Sequence, residues 1–581
     1  MTGSVSSDRS VSRRRLLAAT GLTVATSGCI RQLRSAVNRD DVEQLSLTIT
    51  TFTADGDRES IQCARAIRSA LEAAGIDVAI EMRSPEEVLR SVLINHDFEV
   101  YVGPHPGGVD PDVLYETLHS QFAEEAGWQN PYGYANRVVD DRLEAQRMAD
   151  DDRAEAVAET LEAFAAEVPF VPICVPEEHR LVRTDRFEGW EAADLATRHG
   201  YLGLETIDDD AVLRAVHTGA RVSKNLNPLS AAYRDQGTFT DLLYDSLATV
   251  DDGAVRPWLA SDWTLEEGTL TIDLREELRF HDDERLTAED VAFTYRFLAD
   301  TTRGESSFPA PTPRFRGRAS LVDDVEAVDD HRIELSIGAG EAVAERALLV
   351  PVLPEHRWAD RSTPPSVPGF DVAEGTTDAL VTDNVPPVGS GPYQFADRTV
   401  RDHVTFERFD DHFSRRDDVD RPSPTAARIR VQIDPRSTSA IERVETHEAD
   451  LTSRPLESYV VDDVLEETGD DVAVLESTAR SFYHLGFNAR KAPFANPNFR
   501  RVIARLIDQA WLVEDVFYGH ARPTAVPVTA EWTPDDLRWD DGDPIAPFLG
   551  TDGEVDVEEA RTAFEEAGFR YAGDGTLRVV D

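Results

Sequence analysis

Sulfur and lysine are scarce in this chain of 581 residues. Its three cysteines, Cys29, Cys63 and Cys174, contain no CxxC pair, which excludes a disulfide scaffold. Cys63 and Cys174 read as small buried apolar residues, with a disulfide between them left open. Lys224 and Lys491 are the only lysines, so nearly all basic charge is arginine. Against 59 basic residues stand 110 acidic ones, for a net charge of −51. Binding a phosphate backbone requires basic patches, so nucleic acid is excluded as a partner. No apolar run approaches the roughly 20 residues that span a bilayer. HExxH, G-x-S-x-G, G-x-G-x-x-G and Walker patterns are missing. Any two carboxylates can be paired in so acidic a chain, so a glycosidase pair carries no weight. The sequence therefore points to no enzyme and no cofactor. His281-Asp282-Asp283 has metal-ligand residue types, but reads as a turn, as do Gly389, Gly391 and Pro392.

What is present is acid, spread over the whole length and not gathered in a tail. Dense carboxylates hold a hydrated surface, and concentrated salt screens their repulsion. The expectation is adaptation to high salt, with loss of structure in dilute buffer.

Residues 1–29 read as a targeting segment. Ser12-Arg13-Arg14-Arg15-Leu16-Leu17 looks like a twin-arginine export signal, and Leu16–Ala25 is its short apolar stretch. Thr26-Ser27-Gly28-Cys29 resembles a lipobox, making Cys29 the lipidation site. Residues 30–44 are a polar tether. This arrangement places the protein on the extracellular face of the cytoplasmic membrane, held by a lipid anchor.

From Leu45 the chain alternates strand and helix. Strands are expected at Leu45–Thr50, Ile76–Ile80, Asp97–Gly103 and Phe170–Val175. Helices are expected at Ser60–Ala74, ended by Gly75, at Ser84–Val92, and at Asp150–Ala166, ended by Val168-Pro169. Such alternation implies a parallel or mixed sheet with helices on its faces. Further on, Asn225 to Pro228 is a turn and Phe239–Leu247 has helical spacing. Gly268–Leu274 alternates as a strand, and Thr287 with Asp290 forms a capping box for a helix over Ala288–Asp300.

The stretch Arg221–Asp300 strongly resembles the start of family 5 extracellular solute-binding proteins, the dipeptide, oligopeptide and nickel binders of ABC importers. The matching residues are Asn225–Pro228, Tyr244–Leu247, Pro257–Trp263, Thr271–Arg275, Phe280–Asp283 and Leu286–Phe293. Pro387–Tyr393, His447–Leu451, Leu485–Asn488 with Ala492–Phe494, and Phe499–Asp508 continue the family order. Residues Leu45 to about Ile207 resemble the family's C-terminal third, through Leu45–Thr48, Ile67–Ile76, Phe98–Gly103, Tyr134–Asp140 and Pro169–Pro172. The end of the family thus precedes its beginning. The resemblance implies an α/β, two-lobed, type II-like periplasmic-binding-protein fold with an extra subdomain, circularly permuted, of haloarchaeal character. Its natural ends would be joined near Glu205–Ala211. One lobe would comprise 191–250 and 386–483, with 251–385 as the extra subdomain. The other would comprise 45–190 and 484–581.

The resemblance further implies a monomeric receptor that delivers a peptide-like small solute to an ABC permease by hinge closure. Hinge crossings are expected near Val175–Gly189 and near Leu485–Asn488, with Phe487 and Asn488 as hinge residues. Candidate ligand contacts are His105, Gly107, Gly108, Tyr483 and Asn225. In the peptide binders an Asp pairs with the peptide amine, and the matching position here is Gly107. The alternatives are a binding-fold sensor or scaffold without a transport ligand, and a secreted hydrolase.

Overall fold

The computed structural model describes residues 44–206, 211–231, 238–251, 253–365, 376–467, 469 and 471–578. Strand β1 (Ser46–Phe52) leads into helix α1 (Arg58–Ala73), whose N-cap is Asp57. The stripe of Ile61, Ala64, Ile67 and Leu71 turns α1 onto the sheet. Strand β2 (Asp77–Arg83) follows, then one helical turn and a wider π-turn over Leu89–Ile94, where an ordinary helix was expected. Strand β3 (Val100–His105) precedes three helices, α2 (Val113–Leu118), α3 (Arg137–Met148) and α4 (Arg153–Glu167). Val168 ends α4 in a left-handed conformation immediately before Pro169.

Strand β4 runs from Phe170 to Arg183, eight residues beyond its expected end at Val175. Strand β5 (Val212–His217) opens the next block. The expected helix over Phe239–Leu247 covers only Thr238–Leu243. The chain then turns inward because the buried Asp245 takes Arg198, the Trp258 indole and His412 as partners.

Four strands, β6 (Ala260–Glu266), β7 (Thr269–Leu274), β8 (Val322–Asp329) and β9 (Arg332–Ile337), make a separate antiparallel sheet in the order β6-β7-β9-β8. Helix α5 (Ala288–Ala299) packs on it. The Asp290 carboxylate accepts the Thr287 N–H at 3.0 Å, so Asp serves where a capping box usually has Glu.

The remaining strands are β10 (Tyr393–Thr399), β11 (His403–Arg408), β12 (Arg428–Ile433), β13 (Leu451–Thr452), β14 (Val472–Thr478), β15 (Phe482–Phe487) and β16 (Ala521–Pro523). Helices α6 (Ser437–Glu445) and α7 (Val461–Glu467) lie between β12 and β14. The large sheet has twelve strands, ordered β10-β11-β12-β5-β13-β4-β15-β3-β1-β2, with β14 and β16 also paired to β4.

Strand β4 belongs to both halves of this sheet. Its first part, Phe170–Cys174, pairs with β15, and its last part, Glu177–Arg183, pairs with β14. Each half has its own apolar core. One centres on Trp258, Trp358, Tyr244 and Phe280, the other on Ile49, Leu485, Phe487, Phe499 and Phe564. The result is a two-lobed α/β molecule with β4 passing between the lobes. Among the described residues no helix is long and apolar enough to cross a membrane. Cys63 and Cys174 are both buried, free thiols.

Candidate functional site

Where β4 passes between the halves, a cleft of about 260 Å³ opens. The second half contributes the β1–α1 loop, Ala54–Glu59, together with Pro104, Tyr483 and Phe517. The first half contributes Tyr201, His217, Phe239, Ser437 and the loop Ser453–Ser458. Pro176, Glu177, Glu178 and Arg180 of β4 complete the lining, with Ser481 from the return crossing.

Charge in the cleft is uneven. Six carboxylates line it (Asp55, Asp57, Glu59, Glu177, Glu178 and Glu457), against three arginines. Arg180 is tied to Glu178 at 2.7 Å and to Ser477 at 3.1 Å. Arg58 lies over the Tyr459 ring at 4.5 Å. Arg454 alone of the three makes no side-chain hydrogen bond, ion pair or ring contact among the described residues.

Asp57 is placed by its role as helix cap. Its Oδ1 accepts the Ser60 N–H at 2.8 Å, and the Tyr483 hydroxyl donates to the same carboxylate at 3.2 Å. Burial raises the Asp57 pKa above the ordinary range, against the hydrogen bonds from Ser60 and Tyr483 and the attraction of Arg454. Burial and repulsion from Asp57 push Glu59 up to about 7, although the Ser458 N–H donates to it at 3.0 Å from the opposite half. Burial and the Arg454 charge push His217 down to about 3. Arg454 therefore acts on Asp57 from one side and on His217 from the other, a cation set across the cleft from an acidic wall.

Of the residues expected from sequence, Tyr483 stands in the cleft. Its neighbour across the sheet is Pro104, which also lines the cleft, whereas His105 ends β3 opposite Phe482. His105 is buried, stacked on Phe482 with ring centroids 4.9 Å apart and edge-on to Trp128 at 5.4 Å, and its Nδ1 accepts the Gly107 N–H at 3.0 Å. Gly107 has φ +60°, and a Cβ there would lie 2.0 Å from the Arg480 carbonyl, so this turn cannot hold an aspartate. Gly108 packs against Val113. Asn225 closes its own turn by accepting the Asn227 N–H at 2.8 Å. None of these four lines the cleft.

Phe487 sits opposite Val100 at the far end of β15, and the Asn488 amide donates to the carbonyls of His96 and Phe98 at 2.9 Å. The chain crosses between the halves at residues 479–481, between β14 and β15, and again in the middle of β4. His281 is held in the turn by Gly391 at 2.9 Å and Gly389 at 3.3 Å. Cys29 lies outside the described residues. Sequence reasoning missed Asp57, Glu59 and Arg454. An aspartate capping the first helix after the first strand was the one available signal.

This cleft can hold a small solute that presents a cation to the acidic wall and an anion to Arg454. Its one Ser–His contact, Ser453 Oγ to His217 Nδ1 at 2.9 Å, is a fold contact, because the same hydroxyl donates to the Val216 carbonyl at 3.1 Å.

Residues 254–580 match the family described as bacterial extracellular solute-binding proteins, family 5 middle. The heme-binding protein A of Haemophilus influenzae is 24% identical over 342 residues, covering 56% of each chain. The oligopeptide-binding protein AppA of Bacillus subtilis is 23% identical over 347 residues, covering 58% of this chain and 56% of that one. The solved structure of the same AppA, in complex with a nonapeptide, aligns at 17% identity and a TM-score of 0.45 over 63% of this chain and 66% of that chain. The chain spans about 56% of the length of these two curated relatives.

Proposed function

Because the chain belongs to the family 5 extracellular solute-binding proteins, we propose that its cleft captures a small zwitterionic, peptide-like solute outside the cell and presents it to an ABC permease. Arg454, without a side-chain partner among the described residues and set across from Asp57 and Glu59, carries this reading. An amine would meet the Asp57–Glu59 wall, and a carboxylate would meet Arg454. The two charges come from opposite halves, so a zwitterion gains both contacts only when the halves are closed. Ligand then shifts the population toward the closed form. A volume near 260 Å³ falls below the roughly 300–1,000 Å³ of drug-sized sites, so the solute is small. Gly107 excludes the family's usual amine-binding aspartate, and Asp57 takes over that charge from a different loop.

Calorimetric titration of the protein with dipeptides in concentrated salt tests this. Truncating one member of a desolvated charge pair costs about 2–5 kcal/mol. Arg454→Gln and Asp57→Asn are each expected to weaken binding tenfold or more, and acetylating the ligand amine should do the same. Unchanged affinity in both variants, or equal binding of the acetylated ligand, would overturn the assignment.

We infer as well that the segment order is a circular permutation of the family's. In support, the Leu45 N–H donates to the Leu577 carbonyl at 2.7 Å, and the Leu577 N–H donates to the Gly75 carbonyl at 2.9 Å. The segment at 571–578 thus lies against the start of β1, the proximity such a permutation requires.

A further inference from the structure

At the crossing itself, Glu177 of the cleft lining gathers with two histidines that the solute reading does not use. Glu177 and His179 are two residues apart on β4 and so project to the same side. His520, in the turn before β16, joins them, and one ligating atom from each of the three lies within 4.8 Å of the others. The two imidazoles meet edge to face, with centroids 5.1 Å apart. His179 is 3% exposed, and its Nδ1 is buried with no hydrogen-bond partner among the described residues. An unsatisfied buried nitrogen is costly, and such an atom calls for a ligand. His520 Nε2 lies 3.0 Å from Asp462 Oδ1. That contact leaves Nδ1 of the same ring without a side-chain partner among the described residues, as the nitrogen a ligand would take.

We propose that Glu177, His179 and His520 bind a divalent transition-metal ion of the zinc type at the crossing between the halves. Two imidazoles and one carboxylate form the donor set of an open zinc site, with water as the fourth ligand. Nitrogen donors disfavour Mg²⁺ and Ca²⁺, which take oxygen. Asp462 supplies the carboxylate that commonly orients a metal-bound histidine through its other nitrogen. Glu476, exposed on β14 opposite His179, adds negative charge. The ion would pin three parts of the molecule: β4, which serves both halves; α7, which carries Asp462 in the first half; and the His520 turn of the second.

Metal-stripped full-length protein, in concentrated KCl with excess MgCl2 to occupy diffuse carboxylate sites, is titrated with Zn²⁺ by calorimetry and with Co²⁺ by visible absorption. The expected result is one Zn²⁺ per chain and a tetrahedral Co²⁺ spectrum. His520→Asn, at a partly exposed turn, should weaken Zn²⁺ binding at least tenfold with the circular dichroism unchanged. Asp462→Asn should weaken it about tenfold. His331→Gln, far from the cluster on an exposed turn, should leave it unaltered. The proposal is overturned if no saturable Zn²⁺ binding survives the Mg²⁺ excess, or if binding persists at full strength in His520→Asn.

Discussion

Glu59 lies 8% exposed in the cleft wall and takes the Ser458 N–H from the opposite half. Its pKa of about 7 stands above the ordinary 4.5. Between those values the folded chain binds the proton more tightly than the unfolded one. The associated stability is therefore complete below about pH 4.5 and is lost as pH rises through 7. At 1.36 kcal/mol per pKa unit, the loss is on the order of 3 kcal/mol. Denaturant unfolding between pH 4.5 and 8 at fixed salt should show that slope, and Glu59→Gln should flatten it. A variant that keeps the full slope would assign it elsewhere. His217 titrates in the opposite sense: its depressed pKa removes stability as pH falls below about 6.5. The difference between wild type and Glu59→Gln therefore reports the interacting Asp57–Glu59 pair, free of His217. The sequence exposes little of this site. Tyr483 follows from its place beside a recognisable strand. Asp57 and Glu59 are two of 110 acids, and Arg454 is one of 59 basic residues, so spacing alone cannot mark them.

At the level of elements, the helices after β3 are docked onto the four-stranded subdomain by charge. Asp112, 1% exposed, accepts Arg147 Nε at 2.7 Å and Nη2 at 2.9 Å, and also pairs with Arg346 of the subdomain. Beside it, Asp110 takes Arg153 at 2.6 Å. Asp112→Ala leaves two arginines in a dry interface and should cost about 3–5 kcal/mol in chemical denaturation. Asp273→Ala, which removes the exposed partner of Arg332, should cost less than about 1 kcal/mol; equal losses would refute the distinction. The elements themselves were legible where burial is one-sided. α1, β7 and the Thr287–Asp290 box follow directly from apolar spacing and capping chemistry. β4 was not fully legible, because Glu177-Glu178-His179-Arg180 has no apolar alternation. Its second half is a strand because β14 pairs with it, a tertiary cause that local sequence does not carry.

At the scale of the whole molecule, the two ends of the second half are joined at close quarters. Gly75 has φ +86°, and a Cβ on it would lie 2.4 Å from the Gly575 carbonyl. A rearranged chain that begins at residue 211, runs to 578 and continues through a short linker into 44–206 keeps every one of these contacts. It should fold with the same circular dichroism, melt within a few degrees of the original and bind the same solute. Aggregation, or a lost transition, would sink the permutation. The order of motifs is what suggests such a rearrangement, whereas the closeness of approach at Gly75 has no signal in the sequence. The sheet order also has a consequence for biosynthesis. β15 lies between β4 and β3, yet it is translated about 300 residues after β4 ends. At roughly 5–20 residues per second, the ribosome leaves that slot open for about 15–60 s. Throughout that time the nascent chain presents two unpaired inner edges, one on each side of the gap, and chaperone cover or delayed collapse must shield them until the missing strand emerges.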